Sequence, residues 1–178
     1  MAETVISEEA VPKKISREQK FVERVITYCQ KDKGIAAKLR RAENPNMEYQ
    51  SWEVLGGLID LENEFERIPS VLISAAIAKS KAEKNGTLHL GKAIAACYPD
   101  GNNDQQAKAR LRRLLACHDA AEASRILRPI LTLIDSRVTS RNLDFVRLLK
   151  QLRYFGERSK IQWASEFYGT SLKEGEAE

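Results

Sequence analysis

The sequence predicts an all-α protein made of two small helical bundles packed together, and three observations support this class. The 178 residues include only nine glycines and five prolines, too few for the many tight turns of a β-sandwich or barrel. Apolar residues recur at the three- and four-residue spacing of a helix face through nearly the whole chain. No stretch alternates apolar and polar residues with the period of two that is typical of a half-buried strand.

Helix signals in the first half of the chain are frequently interrupted. Ser16 and Gln19 form a capping box before an apolar stripe that runs to Cys29. Gly34 is expected to end that helix, and a short helix follows to Arg41. A turn is expected at Asn44-Pro45-Asn46, followed by a helix with Trp52, Leu55, Leu58 and Ile59 inward. A further helix is expected to start at Pro69 and to end at Asn85-Gly86. A short helix from Leu90 to Cys97 completes this half of the chain.

Helix signals are clearer in the second half. Asp104 caps a helix with inward leucines, and Asp119 with Glu122 forms the capping box of the next helix, which Pro129 should kink unless it marks an early turn. Two more helices are expected after it. The first follows a cap at Asn142 or Ser140 and has an apolar stripe of Phe145, Leu148, Leu149, Leu152 and Phe155. The second runs from about Glu157 to Tyr168 and has an apolar stripe of Ile161, Trp163, Ala164 and Phe167.

These elements predict four segments of the chain. The loop around Pro99–Asn103 is the expected boundary between an N-terminal bundle, residues 16–100, and a C-terminal bundle, residues 104–168. The polar segments at residues 1–15 and 169–178 are expected to be disordered tails.

Composition excludes several classes of protein. The chain is 43% hydrophobic and 30% charged, which is unlike a disordered protein, and its apolar runs are too short to span a bilayer. The N-terminal segment is acidic and lacks the apolar core of a signal peptide, so we expect a cytoplasmic protein with no membrane partner. Three widely spaced cysteines indicate neither a disulfide framework nor a zinc knuckle.

The net charge of +4 conceals a strong segregation of charge along the chain. Residues 42–72 contain seven acidic residues and one basic residue, a net charge of −6, and the acids at 43–66 are a candidate surface for docking a basic partner such as a second copy. Residues 105–160 contain thirteen basic and five acidic residues, a net charge of +8, and ten of the thirteen bases are arginine. Dense arginine is typical of surfaces that bind phosphates, although any single base is more often a solvated surface residue.

The bases of the second half recur beside the apolar stripes of their helices. On the helix near residues 142–155, for example, Arg147, Lys150 and Arg153 are spaced three residues apart. If the basic edges of neighbouring helices lie on one side they form a track for nucleic-acid phosphates, and the alternative, that they face different directions, stays open. Charge clustering alone supplies these candidate nucleic-acid-binding residues: Arg110, Arg112, Arg125, Arg137, Arg141 and Lys150.

Signals for catalysis or cofactor binding are weak. Residues 86–93 (GTLHLGKA) nearly match a phosphate-binding loop, but Ala93 stands where a Ser or Thr would hold magnesium, and no apolar strand precedes Gly86. Two histidines, His89 and His118, are too few for an ordinary zinc site. We therefore predict no catalytic residue, no metal, no cofactor and no small-molecule substrate.

The second half resembles the CasB family in four ordered segments: residues 113–119 (RLLACHD), 126–128 (ILR), 144–153 (DFVRLLKQLR) and 163–168 (WASEFY). The first half agrees at residues 37–42 (AKLRRA), at Trp52 with Leu55, and at the start of the Leu90-Gly91 helix. The resemblance covers about residues 16–168. CasB proteins are the small subunit of Cascade, the type I-E CRISPR surveillance complex.

The resemblance implies a non-catalytic subunit with two helical bundles. Such a subunit lies in the complex as a head-to-tail pair of copies, contacts the backbone and large subunits, and helps to hold guide RNA, the target strand and the displaced DNA strand. Base pairing reads the sequence there, so the protein has only to supply phosphate contacts and shape. Seven phosphate candidates are carried over by their positions in the matching segments: Lys38, Arg40, Arg41, Arg113, Arg128, Arg147 and Arg153.

The sequence leaves one alternative function open, a free-standing helical DNA-binding regulator. A helix-turn-helix regulator needs a recognition helix with exposed polar residues after a tight turn. Arg112-Arg113, after the Asn102-Asn103 loop, is the nearest candidate, although no convincing short helix precedes it at the right spacing.

Overall fold

The computed structural model describes residues 13–169, except for the side chain of Arg141, and this part of the chain folds into helices joined by short connections. The helices are α1 (Arg17–Lys31), α2 (Lys33–Arg41), α3 (Tyr49–Leu55), α4 (Glu64–Ser80), α5 (Leu90–Ala96), α6 (Gln105–Leu115), α7 (Ala120–Arg137), α8 (Phe145–Arg153) and α9 (Glu157–Tyr168). Single turns of 3-10 helix occupy three connections: Pro45–Met47, Gly101–Asn103 and Ser140–Asn142. The predicted all-α class is confirmed.

Polar side chains cap three helices where the sequence predicts them. The Ser16 hydroxyl accepts a hydrogen bond from the backbone N–H of Gln19 at 3.1 Å at the start of α1. The Asp104 carboxylate accepts from two backbone N–H groups at the start of α6, and Asp119 accepts from the N–H of Glu122 at 2.8 Å at the start of α7. Each cap satisfies a donor that the first turn of a helix leaves unpaired.

The predicted break between the first two helices is wrong by two residues. Asp32, not Gly34, separates α1 from α2, because its carboxylate accepts from the N–H groups of Gly34 and Ile35 and starts a new helix there. Gly34 therefore lies inside α2.

The predicted cap of α8 is also wrong. The start of α8 is fixed by Asp144, whose carboxylate accepts from the N–H of Arg147 at 3.0 Å. The two residues predicted for that role, Ser140 and Asn142, lie in the preceding 3-10 turn.

Both predicted ends of α4 are wrong as well. The helix begins at Glu64 after the cap residue Asn63, so Pro69 lies within the helix instead of starting it. At the other end, α4 stops at Ser80, where Lys81 adopts a left-handed conformation with φ of 55°, before the predicted Asn85-Gly86 turn.

Helix α4 lies at the centre of the packing and contacts α1, α2, α7 and α8. Residues such as Val71, Ile73 and Ile77 along α4 are fully buried. Helix α5 packs mainly against α9 and also contacts α6. Helices that precede the Gly101–Asn103 turn thus pack extensively against helices that follow it, and the proposed division into bundles at residues 16–100 and 104–168 stays a prediction.

The predicted disordered tails fall mostly outside the described residues, which exclude residues 1–12 and 170–178. Residues 13–16, at the end of the first predicted tail, have no regular secondary structure.

Two glycines allow backbone segments to approach closely. A Cβ atom added at Gly86 would lie 2.0 Å from the carbonyl oxygen of Asn142, beside the isolated parallel bridge that joins Leu88 to Leu143. A Cβ atom added at Gly91 would lie 2.5 Å from the carbonyl oxygen of Trp163, where α5 packs on α9. The glycines of the segment that resembles a phosphate-binding loop are therefore explained by packing.

Candidate nucleic-acid interface

A groove between α8 and α9 brings cationic side chains together with an exposed aromatic ring. Its walls come from α8, from the turn after α8 and from the first half of α9. The lining residues are Arg147, Lys150, Gln151, Tyr154, Arg158, Ser159 and Gln162. Because both helices are amphipathic, their polar edges meet at the surface beside a shared apolar interface.

The buried amide of Gln151 fixes the floor of this groove. Its Nε2 donates to Oε1 of Gln162 at 3.0 Å, and its Oε1 accepts from Nε1 of Trp163 at 2.7 Å. The Ser159 hydroxyl donates to the backbone carbonyl of Gln151 at 2.7 Å. These groups satisfy one another, so the floor has a defined shape and its polar atoms are already engaged.

Arg147 is held at the groove by Glu166, a carboxylate of α9 with only 5% of its side chain exposed. The Arg147 Nε donates to Oε1 of Glu166 at 2.7 Å. The same carboxylate accepts from the backbone N–H of Gly91 at 3.1 Å and from Nε2 of Gln151 at 3.3 Å. The Arg147 side chain is 35% exposed, and its two terminal nitrogens have no hydrogen-bond partner among the described residues. One edge of the guanidinium is anchored and the other is available to a ligand.

Lys150 and Arg158 are exposed on opposite walls of the groove, and neither forms an ion pair within the described part of the chain. Tyr154 follows directly after α8 and is 67% exposed. The candidate residues from the sequence include Lys150 but neither Tyr154 nor Arg158, although Arg158 is one of the thirteen bases of residues 105–160. Only the turn between α8 and α9, which is a tertiary feature, brings these three side chains to one groove.

A second group of cations lies near the end of α6. Burial, the largest cause, raises the pKa of the Cys117 thiol, the Glu122 carboxylate raises it further, and the charges of Lys160 and Arg125 lower it. The charges of Lys160 of α9 and Arg125 of α7 thus both act on this thiol, which lies just beyond the end of α6. Two exposed arginines occupy the last turn of α6, just before Cys117: Arg112 and Arg113.

Arg110 and Arg137 contact the buried ring of Tyr98. The Arg110 Nε donates to the Tyr98 hydroxyl at 2.6 Å. The guanidinium of Arg137 lies over the Tyr98 ring, 5.1 Å from its centroid, and donates to the carbonyl oxygen of Cys97. Both arginines thereby join α6 and α7 to the end of α5, and only part of each guanidinium is available to a ligand.

Arg128 links α7 to the end of α2. One of its terminal nitrogens donates to the carbonyl oxygens of Ala42 and Glu43, each at 2.9 Å. Burial, the largest cause, lowers the pKa of Arg128, and the nearby carboxylates of Glu48 and Glu43 oppose that change. The half-buried guanidinium caps the C-terminus of α2. A phosphate that bound Arg128 would therefore share the guanidinium with these carbonyl groups.

The basic residues of α2 form a smaller patch at the surface. Lys38 makes an ion pair with Glu53 at 2.7 Å, and Arg41 donates to Oε1 of Gln50 at 3.1 Å. Arg40 is exposed and has no such partner among the described residues.

Only 9% of the Arg153 side chain is exposed, and its guanidinium contacts residues of α1 and α4. Its terminal nitrogens lie 3.3 Å from Glu18, 3.0 Å from the Ser70 hydroxyl and 3.6 Å from Glu66, and the guanidinium lies over the Phe21 ring. The structure therefore does not bring Arg153 together with the groove cations. The last candidate from the sequence, Arg141, has its side chain outside the described residues.

The acidic segment is partly neutralised within the chain. Glu48 and Glu64 contact Arg67 at 3.7 and 3.5 Å, and Glu66 contacts Arg17 at 3.1 Å. Exposed acids without an ion pair in the described part of the chain include Asp60 and Glu62.

The tryptophan predictions have different outcomes. Trp163 is fully buried, as expected, and packs against Phe155 with ring centroids 5.9 Å apart. Trp52 is 41% exposed, so its predicted core position is wrong. The seven-residue helix α3 buries Ser51 and Leu55. Trp52 follows Ser51 directly, and one residue of a helix is a rotation of about 100°, so its side chain points away from the buried face.

The described residues contain neither a metal-binding cluster nor a helix able to span a membrane. Within residues 13–169, no group of three or more His, Cys, Asp or Glu side chains is arranged to hold a metal ion. Of the helices in that range, not one combines the length and the hydropathy that crossing a bilayer requires.

Comparisons with known proteins agree with this fold. The family model described as CRISPR-associated protein Cse2 matches residues 36–168. A solved chain described as belonging to a CRISPR RNA-guided surveillance complex is similar with a TM-score of 0.67 and 20% sequence identity, over 90% of this chain and 98% of that chain. At that identity, the solved structure supports the fold. The comparison with curated proteins gives no match.

Proposed function

The chain belongs to the family of the CRISPR-associated protein Cse2, which is the CasB small subunit of type I-E, and from this premise we propose that it is the small subunit of a Cascade-type surveillance complex. In that complex it holds guide RNA, the target strand and the displaced DNA strand through phosphate contacts, without catalysing a reaction. The resemblance to CasB that the sequence indicates is confirmed by the family match.

The observation that carries the proposal is the set of unpaired cations in the α8–α9 groove. Lys150 and Arg158 are exposed without a carboxylate partner in the described chain, and Arg147 presents two free nitrogens beside them. Unpaired like charges that lie together repel one another unless an anion offsets them. A nucleic-acid backbone supplies such an anion along its whole length.

The chemistry of the groove favours phosphate contacts over base recognition. Amide side chains are a common means of reading base edges, and the amide of Gln151 is engaged within the floor, so the groups that the groove offers a ligand are mainly cations. Lysine and arginine on flexible stems bind phosphates of any sequence. Base pairing with the guide would then supply all the specificity.

A non-catalytic role is supported by the chemistry of the groove hydroxyl. The Ser159 hydroxyl donates to a backbone carbonyl, and the other lining residues of the groove are cations, amides and Tyr154, without the histidine or carboxylate that usually activates such a nucleophile. The proposed subunit acts by binding and by positioning strands in the cytoplasm.

The proposed protein partners are the backbone and large subunits and a second copy of the chain. The exposed acids Asp60 and Glu62 lie near the exposed ring of Phe65 in sequence, on the segment whose net charge is −6. This combination supports docking of a basic surface, such as that of a second copy.

Copurification tests the proposed function. A tagged chain is coexpressed with the other subunits and a guide RNA, and we expect the subunits and the RNA to be recovered together. Lys150→Glu with Arg158→Glu should preserve recovery of the protein subunits and weaken binding of target DNA by the complex. Lys20→Glu with Arg24→Glu, the same charge change at two exposed positions of α1, should leave DNA binding close to that of the wild type.

Two results would contradict this assignment. Recovery of the chain without any other subunit or RNA would exclude the complex. A sequence-specific footprint of the isolated chain on duplex DNA would instead identify a free-standing regulator.

A further inference from the structure

Tyr154 has a fixed backbone and an unpacked ring. Its N–H donates to the carbonyl oxygen of Lys150 at 3.1 Å, and its own carbonyl oxygen lies 3.5 Å from the Ser159 hydroxyl, which donates to Gln151. The next residue, Phe155, packs against Trp163 and lies under the ammonium of Lys160. The Tyr154 ring itself is 67% exposed at the edge of the groove. Among the described residues, no ring stacks on Tyr154 and no group hydrogen-bonds its hydroxyl, so the ring is available to a ligand.

We propose that the α8–α9 groove binds one unpaired nucleotide of a single strand, with its base stacked on the ring of Tyr154 and its flanking phosphates on Lys150, Arg158 and the free edge of Arg147. This inference rests on the proposed function and adds to it a subsite, its residues and the state of the nucleotide that it binds.

The combination of groups selects an unpaired nucleotide. Alternating aromatic rings and cations are the general means by which proteins bind single strands, because every base has a face that can stack. In a duplex both faces of each base are covered by neighbouring base pairs, so a fixed surface ring meets only phosphates and sugars. The exposed ring therefore adds affinity only where a base is unstacked.

The subsite is indifferent to the identity of the base. Two amides line the groove. That of Gln151 is engaged by Gln162, Glu166 and Trp163, and Oε1 of Gln162 is engaged by Gln151. Stacking on Tyr154 makes no distinction between the hydrogen-bonding edges of the four bases. The nucleotide is thus held by its face and its phosphates.

The experiment measures binding of the full chain to short single-stranded oligonucleotides by fluorescence. One oligonucleotide carries 2-aminopurine at every second position, because stacking of this base changes its emission, and a matched oligonucleotide carries abasic sites there. Each is made with deoxyribose and with ribose, so that the DNA and RNA strands of the complex are distinguished. The variants are Tyr154→Ala, Tyr154→Phe and, as a matched control at an exposed tyrosine of α3, Tyr49→Ala.

We expect Tyr154→Ala to weaken binding of the 2-aminopurine strand about tenfold, which is the effect of losing one stacked base, and to abolish the emission change. Tyr154→Phe retains the ring and should retain both signals. Binding of the abasic strand should be the same for the wild type and Tyr154→Ala, and Tyr49→Ala should bind like the wild type. The thermal melting of each variant, followed by circular dichroism, checks that the fold is intact.

The outcomes separate this subsite from the broader function. If the wild type binds no oligonucleotide, the proposed nucleic-acid function fails with it. If the wild type binds but Tyr154→Ala binds equally well, the subsite is wrong and the function stands. If Tyr154→Ala weakens the abasic strand as much as the 2-aminopurine strand, or if Tyr154→Phe behaves like Tyr154→Ala, the ring does not stack on a base. Displacement of the oligonucleotide by an acidic peptide with the same dependence on Tyr154 would instead assign the groove to a protein partner.

Discussion

The carboxylate of Glu166 accepts a hydrogen bond from Nε of Arg147 at 2.7 Å, and this pair joins the two helices that form the groove. Glu166 belongs to α9 and Arg147 to α8. The same carboxylate accepts from the backbone N–H of Gly91 in the first turn of α5. A carboxylate near a helix N-terminus is stabilised by the unpaired N–H groups there, so one buried side chain fixes three helices and orients Arg147.

We expect Glu166→Ala to destabilise the protein by about 1–3 kcal/mol, because the N–H of Gly91 and the Nε of Arg147 lose their shared acceptor. Urea unfolding followed by circular dichroism measures the change. The control is Glu157→Ala, which removes an exposed carboxylate from the first turn of the same helix. Equal unfolding free energies for the two variants would show that the hydrogen bonds of Glu166 stabilise the fold no more than an exposed carboxylate does.

Gly91 lies at a close approach of α5 to α9. A Cβ atom there would lie 2.5 Å from the carbonyl oxygen of Trp163 and 2.6 Å from the N–H nitrogen of Phe167, and backbone atoms of a helix do not move aside as a flexible side chain would. We expect Gly91→Ala to cost about 1–3 kcal/mol of unfolding free energy by overpacking. Gly57→Ala, at a position with open space around it, should be close to neutral in the same urea titration. A neutral Gly91→Ala would contradict the close packing of α5 on α9.

The sequence predicted helices well where their signals are local. Caps at Ser16, Asp104 and Asp119 depend on contacts within four residues, and all three were predicted. The start of α4 was missed although Asn63 is a good cap residue, because Pro69, a residue that favours the first turn of a helix, indicates a later start. Trp52 was misplaced because α3 is too short for its apolar pattern to define which face is buried.

The candidate site could be predicted only as a region. Charge clustering indicated the basic second half, but the availability of each base depends on residues distant in sequence. Arg128 is engaged by carbonyl groups more than eighty residues away, and Arg153 by Glu18 of α1. Conversely, Tyr154 gave no signal because an aromatic residue after an apolar stripe is usually part of the core.

The buried guanidinium of Arg153 provides a test of this distinction between structural and available arginines. Arg153→Met should destabilise the fold by about 3–5 kcal/mol, because it leaves the buried Glu18 carboxylate without its cation. Arg158→Met removes the same charge from an exposed position and should leave the melting temperature nearly unchanged. If Arg153→Met melts like Arg158→Met, the Arg153 ion pairs do not stabilise the fold.

Glu43 makes stability depend on acid pH. Burial raises the pKa of its carboxyl group, but hydrogen bonds from Lys79 and Thr132 and the charges of Lys79 and Arg128 outweigh burial and hold the pKa below its ordinary value of 4.5. The unfolded chain therefore takes up this proton first as the pH falls. The stabilisation is fully present above the unfolded pKa and is lost as the pH falls through the folded pKa.

We therefore expect the difference in unfolding free energy between the wild type and Glu43→Gln to be larger near neutral pH than at about pH 3, where the unfolded chain has already bound the proton and the stabilisation from the folded carboxylate is reduced. Urea titrations at the two pH values measure both differences. Glu53→Gln, at an exposed carboxylate that contacts Lys38, is the control. If the difference in unfolding free energy between the wild type and Glu43→Gln grew as the pH fell, the sign would be opposite to the expected one. Protonation of Glu43 would then not be the cause of the acid dependence of stability.

The salt dependence of single-strand binding distinguishes the groove from the general positive charge of the chain. Each phosphate that a cation neutralises on a single strand contributes about −0.7 to the slope of log affinity against log salt. Neutralising Lys150 and Arg158 together, as Lys150→Gln with Arg158→Gln, should make the slope shallower by about 1.4 if each cation contacts one phosphate. Neutralising Lys20 and Arg24 of α1 changes the net charge of the protein by the same amount and should leave the slope unchanged, because displacement of counterions requires close contact. Equal slopes for the two double variants would mean that the strand responds to the overall charge of the chain, and that the exposed cations of α8 and α9 are ordinary surface residues.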